Sequence, residues 1–190
     1  MQQLIDHIIR YSSVGPGMAD GIRDFFQVKT FRKKELLLQE GQRCHEKFFI
    51  VQGCVHLFYL RQNGVEQTID FALENWWTSD FMAFQNGSPA QFSIRAIEAT
   101  EVLAISAVRQ QEMLAAIPEL HEYFHLMFQR AYAASQIRVR KTYELSKEEL
   151  YLDFSRKYPA FLQRVPQYLM ASFLGFTPEY LSEIRRKFLS

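Results

Sequence analysis

The chain has 190 residues, an apolar fraction of 48% and a formal net charge of +1. That is apolar material for one sizeable core and a smaller one, which argues against disorder, and no run approaches the roughly eighteen apolar residues of a membrane helix. With no signal-type stretch in Met1 to Arg10, and with Cys44 and Cys54 lacking further ligands at metal spacing, a cytoplasmic protein without a zinc site or a membrane partner is expected.

The charge is unevenly spread. Lys and Arg number 11 against 15 Asp and Glu over residues 1–129, and 11 against 6 over residues 130–190. An acidic front half followed by a basic back half is the asymmetry of a chain whose second part meets phosphate.

Ile5 to Gln27 reads as a helical leader broken at Gly15 to Gly17. The material then changes to short apolar or alternating runs: Glu35 to Gln39, Lys47 to Val51, Val55 to Leu60, Gln67 to Phe71, Phe92 to Ile97 and Glu101 to Ile105. Gly41, Gly53, Asn63-Gly64 and Asn86-Gly87 punctuate them, and Asn63-Gly64 predicts a hairpin. Strands at this spacing imply an antiparallel sandwich or jelly roll.

After Ser106 the period becomes helical on both sides of Pro118. Leu120, Phe124, Met127, Ala131 and Ala134 recur at intervals of four and three, the spacing of a coiled-coil seam, and the two alanines would let a second copy approach closely. A single domain could instead bury the stripe against itself. Ser146 and Glu149 stand at capping-box spacing before a helix to Tyr158, and Pro159 separates it from a shorter one.

The sharpest signal is the segment from Val165 to the end. Gln167 to Leu174 can form two helical turns; Gly175 ends them; Thr177, Pro178 and Glu179 read as N-cap, first-turn proline and first-turn acid of a second helix. Ala171 and Gly175 provide the small residue and the left-handed corner that a steep crossing needs, and Leu181 and Ile184 point back to the first helix. Thr177, Glu179, Tyr180, Ser182, Glu183, Arg186 and Lys187 are left outside as candidate DNA-contacting residues.

With Val165-Pro166-Gln167 and Leu174-Gly175-Phe176-Thr177-Pro178-Glu179-Tyr180-Leu181-Ser182, preceded by the glycine-punctuated strands and the long helix, the chain resembles the Crp/Fnr family of transcription regulators. The resemblance implies an α+β fold: a cyclic-nucleotide-binding-like sensor β-roll over 1–118, a dimerisation helix over 119–144 and a helix-turn-helix over 145–190. It also implies a homodimer on double-stranded DNA, contact with RNA polymerase, and a small-molecule effector. Glu179 matches the family's recognition-helix glutamate, which can accept from a cytosine amino group. Pro178 and Glu183 replace arginines common in relatives, and the chain stops where a β-wing would follow.

The effector is not expected to be cyclic AMP. Where nucleotide-binding relatives carry Gly-Glu and then Arg-Ser/Thr-Ala, this chain has Asn75 to Asp80 and then Pro89 to Ser93, with no arginine for a cyclic phosphate. Trp77, Ser79, Asp80, Phe81, Gln91 and Ser93 line the effector pocket that the resemblance implies, although the aromatic residues here are equally readable as core. No cofactor is implied, and the cysteine cluster of iron–sulfur relatives is missing.

Two enzyme readings compete. His121-Glu122-Tyr123-Phe124-His125 fits H-E-x-x-H, but Glu144, the distant carboxylate, would lie ~28 Å further along one helix, so chance resemblance is preferred. A cupin-type metal site would need clustered histidines, whereas His45 and His56 stand alone. A third alternative is a ligand- or protein-binding module whose DNA reader is degenerate. The expectation is a regulator and not an enzyme.

Overall fold

The computed structural model describes residues 1–189. Helix α1 (Gln2–Tyr11) and helix α2 (Pro16–Ile22) lead through a 3-10 turn (Arg23–Phe25) into eight strands. These are β1 (Gln27–Phe31), β2 (Leu36–Leu38), β3 (Glu46–Gln52), β4 (Val55–Leu60), β5 (Glu66–Ala72), β6 (Trp77–Thr78), β7 (Ser93–Ala96) and β8 (Thr100–Ser106), with helix α3 (Phe81–Asn86) between β6 and β7. Helices α4 (Ala107–Ala116), α5 (Leu120–Glu144), α6 (Lys147–Lys157), α7 (Pro159–Arg164), α8 (Gln167–Leu174) and α9 (Pro178–Leu189) follow.

The strands form two antiparallel four-stranded sheets, ordered β1-β8-β3-β6 and β2-β7-β4-β5. The expected jelly-roll-type α+β architecture is therefore present. At the β4–β5 hairpin Gly64 adopts φ 77°, and Val65 N–H donates to Asn63 Oδ1 at 3.1 Å, so the Asn-Gly pair turns the chain as its sequence predicts.

Burial explains the layering. Phe48, Ile50, Val55, Ile94, Val102 and Ala104 fill the space between the sheets. The alternate residues Phe49, Leu103 and Ile105 point the other way and are covered by α1, α2, α4 and the start of α5, through Leu4, Ile8, Ile22, Met113, Leu120 and Tyr123. Strand β3 is thus apolar on both faces because helices cover the outside of its sheet.

The other sheet is covered by the tail. Cys54, Phe71 and Ile97 share one core with Leu150, Tyr151, Phe161, Leu169, Met170 and Leu174 of α6 to α8. Ser172 is the stitch: its hydroxyl donates to Glu66 C=O at 3.1 Å and accepts from Thr68 N–H at 2.9 Å. The helical tail and the β-roll are consequently joined by packing as well as by the chain.

Three sequence expectations change. β1 and β6 were not expected as strands; β1 exposes most of its side chains and is held to β8 by backbone pairing, so it carries little alternation. Leu120 and Phe124, expected on a seam between copies, are buried in this chain's own core. Met127 packs partly against the same core, while Ala131 and Ala134 are exposed.

Candidate nucleic-acid interface

Helices α8 and α9 are built by the turn the sequence contains. Gly175 takes φ 75°, and Phe176 N–H donates to Ala171 C=O at 2.8 Å, which satisfies an end carbonyl of α8. Thr177 Oγ1 then accepts from Tyr180 N–H at 3.2 Å and caps α9. Ala171, Leu181 and Ile184 are buried where the two helices cross.

The outward side of α9 carries Glu179, Ser182, Glu183, Arg186 and Lys187, all exposed. Lys187 pairs with Glu148 of α6 at 3.1 Å, an exposed contact that a competing phosphate can replace at small cost. Tyr180 is half-buried, edge-on to Phe176 with ring centroids 5.8 Å apart. Thr177 and Tyr180 also border a cavity of about 640 Å³ between this corner and the β4–β5 hairpin, whose other walls include Arg61, Glu66, Gln67 and Lys147. The seven expected contact residues therefore lie on one helix and its cap, five of them facing solvent and two also facing the roll.

The residues expected around an effector separate into two groups. Asp80 is buried and caps α3, accepting from Ala83 N–H at 3.0 Å and from Gln91 N–H at 2.7 Å. Ser79 donates to Glu46 C=O at 2.9 Å, and Ser93 Oγ accepts from Glu40 N–H at 2.9 Å. Ser79, Asp80 and Ser93 thus spend polar atoms on the chain's own loops, and Gln91 joins through its backbone. Trp77 and Phe81 belong elsewhere: Trp77 Nε1 donates to the buried Tyr123 hydroxyl at 2.9 Å, and Phe81 stacks edge-on to Phe128 of α5 at 5.4 Å.

Arg95 is also committed. It pairs with Glu66 at 2.6 Å and lies over the Phe58 ring at 4.5 Å. Beside it His56 is buried, stacked on Phe58, and burial together with Arg95 pulls its pKa down to about 4, so it is neutral near pH 7.

His121 and His125 lie on the exposed flank of α5, and Glu122 accepts from Ser13 at 3.3 Å. Among the described residues no group of three or more His, Cys, Asp or Glu is placed to hold a metal.

Three residues that sequence reading passed over connect the parts. Arg164, at the end of α7, bonds Glu74 and Glu98 on the roll. Arg138 of α5 donates to Ile69 C=O and lies over the Phe173 ring at 5.0 Å. Lys47 of β3 is only 2% exposed. None stands in a motif; each acquires its role from a partner distant in sequence.

Residues 28–116 match the family model described as cyclic nucleotide-binding domain. Among curated protein sequences none matches the chain. Among solved structures, the c-di-GMP responsive global regulator CLP of Xanthomonas campestris is similar at TM-score 0.71 and 11% identity, over 92% of this chain and 92% of that one. FixK2 of Bradyrhizobium japonicum is similar at TM-score 0.69 and 15% identity, over 85% and 83%. The catabolite activator protein of Thermus thermophilus is similar at TM-score 0.58 and 17% identity, over 96% and 86%. At these identities the likeness is one of fold, and it extends from the roll through the helical tail.

Proposed function

We propose that this chain is a DNA-binding transcription regulator of the Crp/Fnr kind, acting as a homodimer on a pseudo-palindromic site. The observation that carries the reading is the α8–Gly175–α9 unit: a capped helix set at a left-handed glycine corner, buried on one side through Leu181 and Ile184 and open on the other through Arg186 and its neighbours. In a dimer two such helices would enter successive major grooves about 34 Å apart. Lys and Arg of the back half would contact phosphates, and RNA polymerase is the expected protein partner.

Homodimer formation is assigned to the outward side of α5. Phe128, Tyr132, Val139 and Tyr143 recur there at intervals of four, seven and four, and are 50%, 67%, 50% and 88% exposed. An exposed apolar stripe at that repeat suits a second copy of the same helix. Its phase is one residue from the stripe that sequence spacing suggests, because Leu120 and Phe124 at the head of that stripe are occupied by this chain's own core.

The division into sensor (1–118), dimer helix (119–144) and reader (145–190) accompanies this reading. A signal at the roll would reach the reader through the Arg164, Arg138 and Ser172 contacts and through the hinge near Thr142 to Ser146, shifting the population of binding-competent dimers.

A second reading has an observation in its favour. Glu179 and Glu183 are both exposed on the face that would meet DNA, and carboxylates repel phosphate. A protein-binding module with a degenerate reader is the alternative.

Fluorescence-anisotropy titration of genomic duplex fragments selected by the protein, at two salt concentrations, tests both. The regulator reading expects specific binding that weakens with salt and is lost in the Arg186→Ala, Lys187→Ala double variant. Binding no tighter than the non-specific ~10⁻⁴ to 10⁻⁶ M favours the second reading.

A further inference from the structure

Lys47 lies on the helix-covered face of β3, in line with Phe49 and opposite Ile105 of β8. Its ammonium is 3.6 Å from the centre of the Phe124 ring, 4.6 Å from Trp77 and 5.9 Å from Phe84. Among the described residues it has no carboxylate, carbonyl or hydroxyl within bonding distance. Burial drives its pKa well below the usual lysine range, the response of an ammonium whose only compensation is aromatic faces.

The group is not sealed in. It forms part of the wall of a cavity of about 300 Å³ between α3, α4 and α5, whose apolar walls are Phe81, Met82, Phe84, Ala107 and Phe128. Gln110 of α4 lines the same cavity, and its side-chain carbonyl is buried without a hydrogen-bond partner. A buried carbonyl without a partner and an ammonium held only by rings therefore face one pocket, which Gln85 and Gln111 also line, whereas buried polar groups are ordinarily satisfied.

We propose that this chamber is a binding site for a small amphiphilic carboxylate, its acid group on Lys47 and its apolar body among Phe81, Phe84 and Phe128. A carboxylate supplies the charge-assisted bond the ammonium lacks, in surroundings where such a bond is strong. At interior packing density the volume holds roughly a dozen non-hydrogen atoms, enough for a single ring or a short alkyl chain. The ring contact between Phe81 and Phe128 places an occupant against α5, so the site would serve as the effector site if the dimer reading holds. Ligand binding itself does not rest on that reading.

The test uses the full chain without DNA, reading tryptophan emission because Trp77 flanks Lys47. Benzoate and hexanoate are titrated beside benzamide and hexanamide, neutral counterparts of the same shape. Saturable binding of at least one acid near ~1 mM or tighter, at least ~10-fold stronger than its amide, is expected. Lys47→Met, which keeps the length and removes the charge, should abolish the acid's advantage. Ala107→Leu, which fills the chamber and leaves Lys47 in place, should weaken the acid at least ~10-fold even if Lys47→Met fails to fold. The proposal is overturned if acid and amide bind alike, if neither acid saturates, or if the acid's advantage survives in a folded Lys47→Met variant. Because no DNA is present, these outcomes are independent of whether α9 reads a duplex.

Discussion

Arg164 and Glu74 face each other as a two-pronged pair, Nη1 to Oε2 at 3.0 Å and Nη2 to Oε1 at 2.7 Å, across the junction between the helical tail and the β-roll. Glu98 shares the guanidinium, accepting from Nε at 3.2 Å, and Glu74 also accepts from Gly53 N–H at 2.9 Å. Burial alone would push the Glu74 carboxyl up; the bonds from Arg164 and Gly53 prevail and hold it below the usual carboxylate range. One arginine thus compensates two carboxylates that would otherwise repel at the base of the tail.

Removing it should loosen the junction more than the core. Arg164→Ala is expected to lower stability by about 1–2 kcal/mol, kept at the low end by solvent screening because each side chain is about one-third exposed. Urea unfolding gives the total. Hydrogen exchange should show faster opening in α7 and α8 than in β3 and β8; uniform acceleration across the chain would contradict a local clasp.

The phase of α5 separates two kinds of apolar position. Tyr132→Glu with Val139→Glu should turn a dimer into a monomer in sedimentation velocity while leaving the monomer's fold intact, since both side chains are exposed within the chain. Leu120→Glu should instead unfold the protein, with a loss of more than ~3 kcal/mol from an unpaired buried charge. A double variant that sediments like the unmodified chain would remove the outward stripe from any role in assembly.

Two glycines with positive φ should differ in tolerance. Gly175 has φ 75° and open space where a Cβ would stand, so Gly175→Ala meets only the backbone penalty of about 1–2 kcal/mol. At Gly53, φ 104°, the same atom would fall 2.5 Å from Thr100 Oγ1 and 2.7 Å from Ala99 C=O. Gly53→Ala adds steric overlap to strain and should cost at least ~3 kcal/mol. Equal losses in chemical denaturation would show that the β3–β4 turn can relax.

Acid should act through His56. Its pKa is about 4 in the folded chain against 6.5 ordinarily, so below pH 6.5 the unfolded chain takes up the proton first. Stability from this group is complete above pH 6.5 and is lost as pH falls toward 4, by up to ~3 kcal/mol. His56→Phe keeps the stack on Phe58 and should flatten this part of the profile, at the cost of leaving buried Thr68, 3.3 Å from Nδ1, without that bond. Parallel stability–pH curves for the two proteins would place the titration elsewhere.

Much of the fold was legible because its signals are local. A left-handed corner wants glycine or asparagine, so Asn63-Gly64 and Gly175 mark their turns in any context; the capping box at Ser146 and Glu149 forms as written, with Ser146 N–H donating to Glu149 at 2.8 Å. Short apolar or alternating runs identified β2, β3, β4, β5, β7 and β8, and the helical period identified α5. Strand β1 escaped because an edge strand held by backbone pairing needs no apolar face, and β6 because two residues show no period.

What the sequence by itself determined, then, is where the chain turns, most of the segments that are strands or helices, and that two short helices meet at the Gly175 corner. The tertiary structure alone decided which neighbour covers each apolar face. Leu120 and Phe124 have the spacing of an intermolecular seam, yet α1 and the first sheet cover them; Lys47 is a charged residue at the start of an apolar run, yet it is buried among the rings of Trp77, Phe84 and Phe124. Periodicity records that a side of an element is apolar, whereas the identity of what packs against it is set by contacts between residues far apart in the chain.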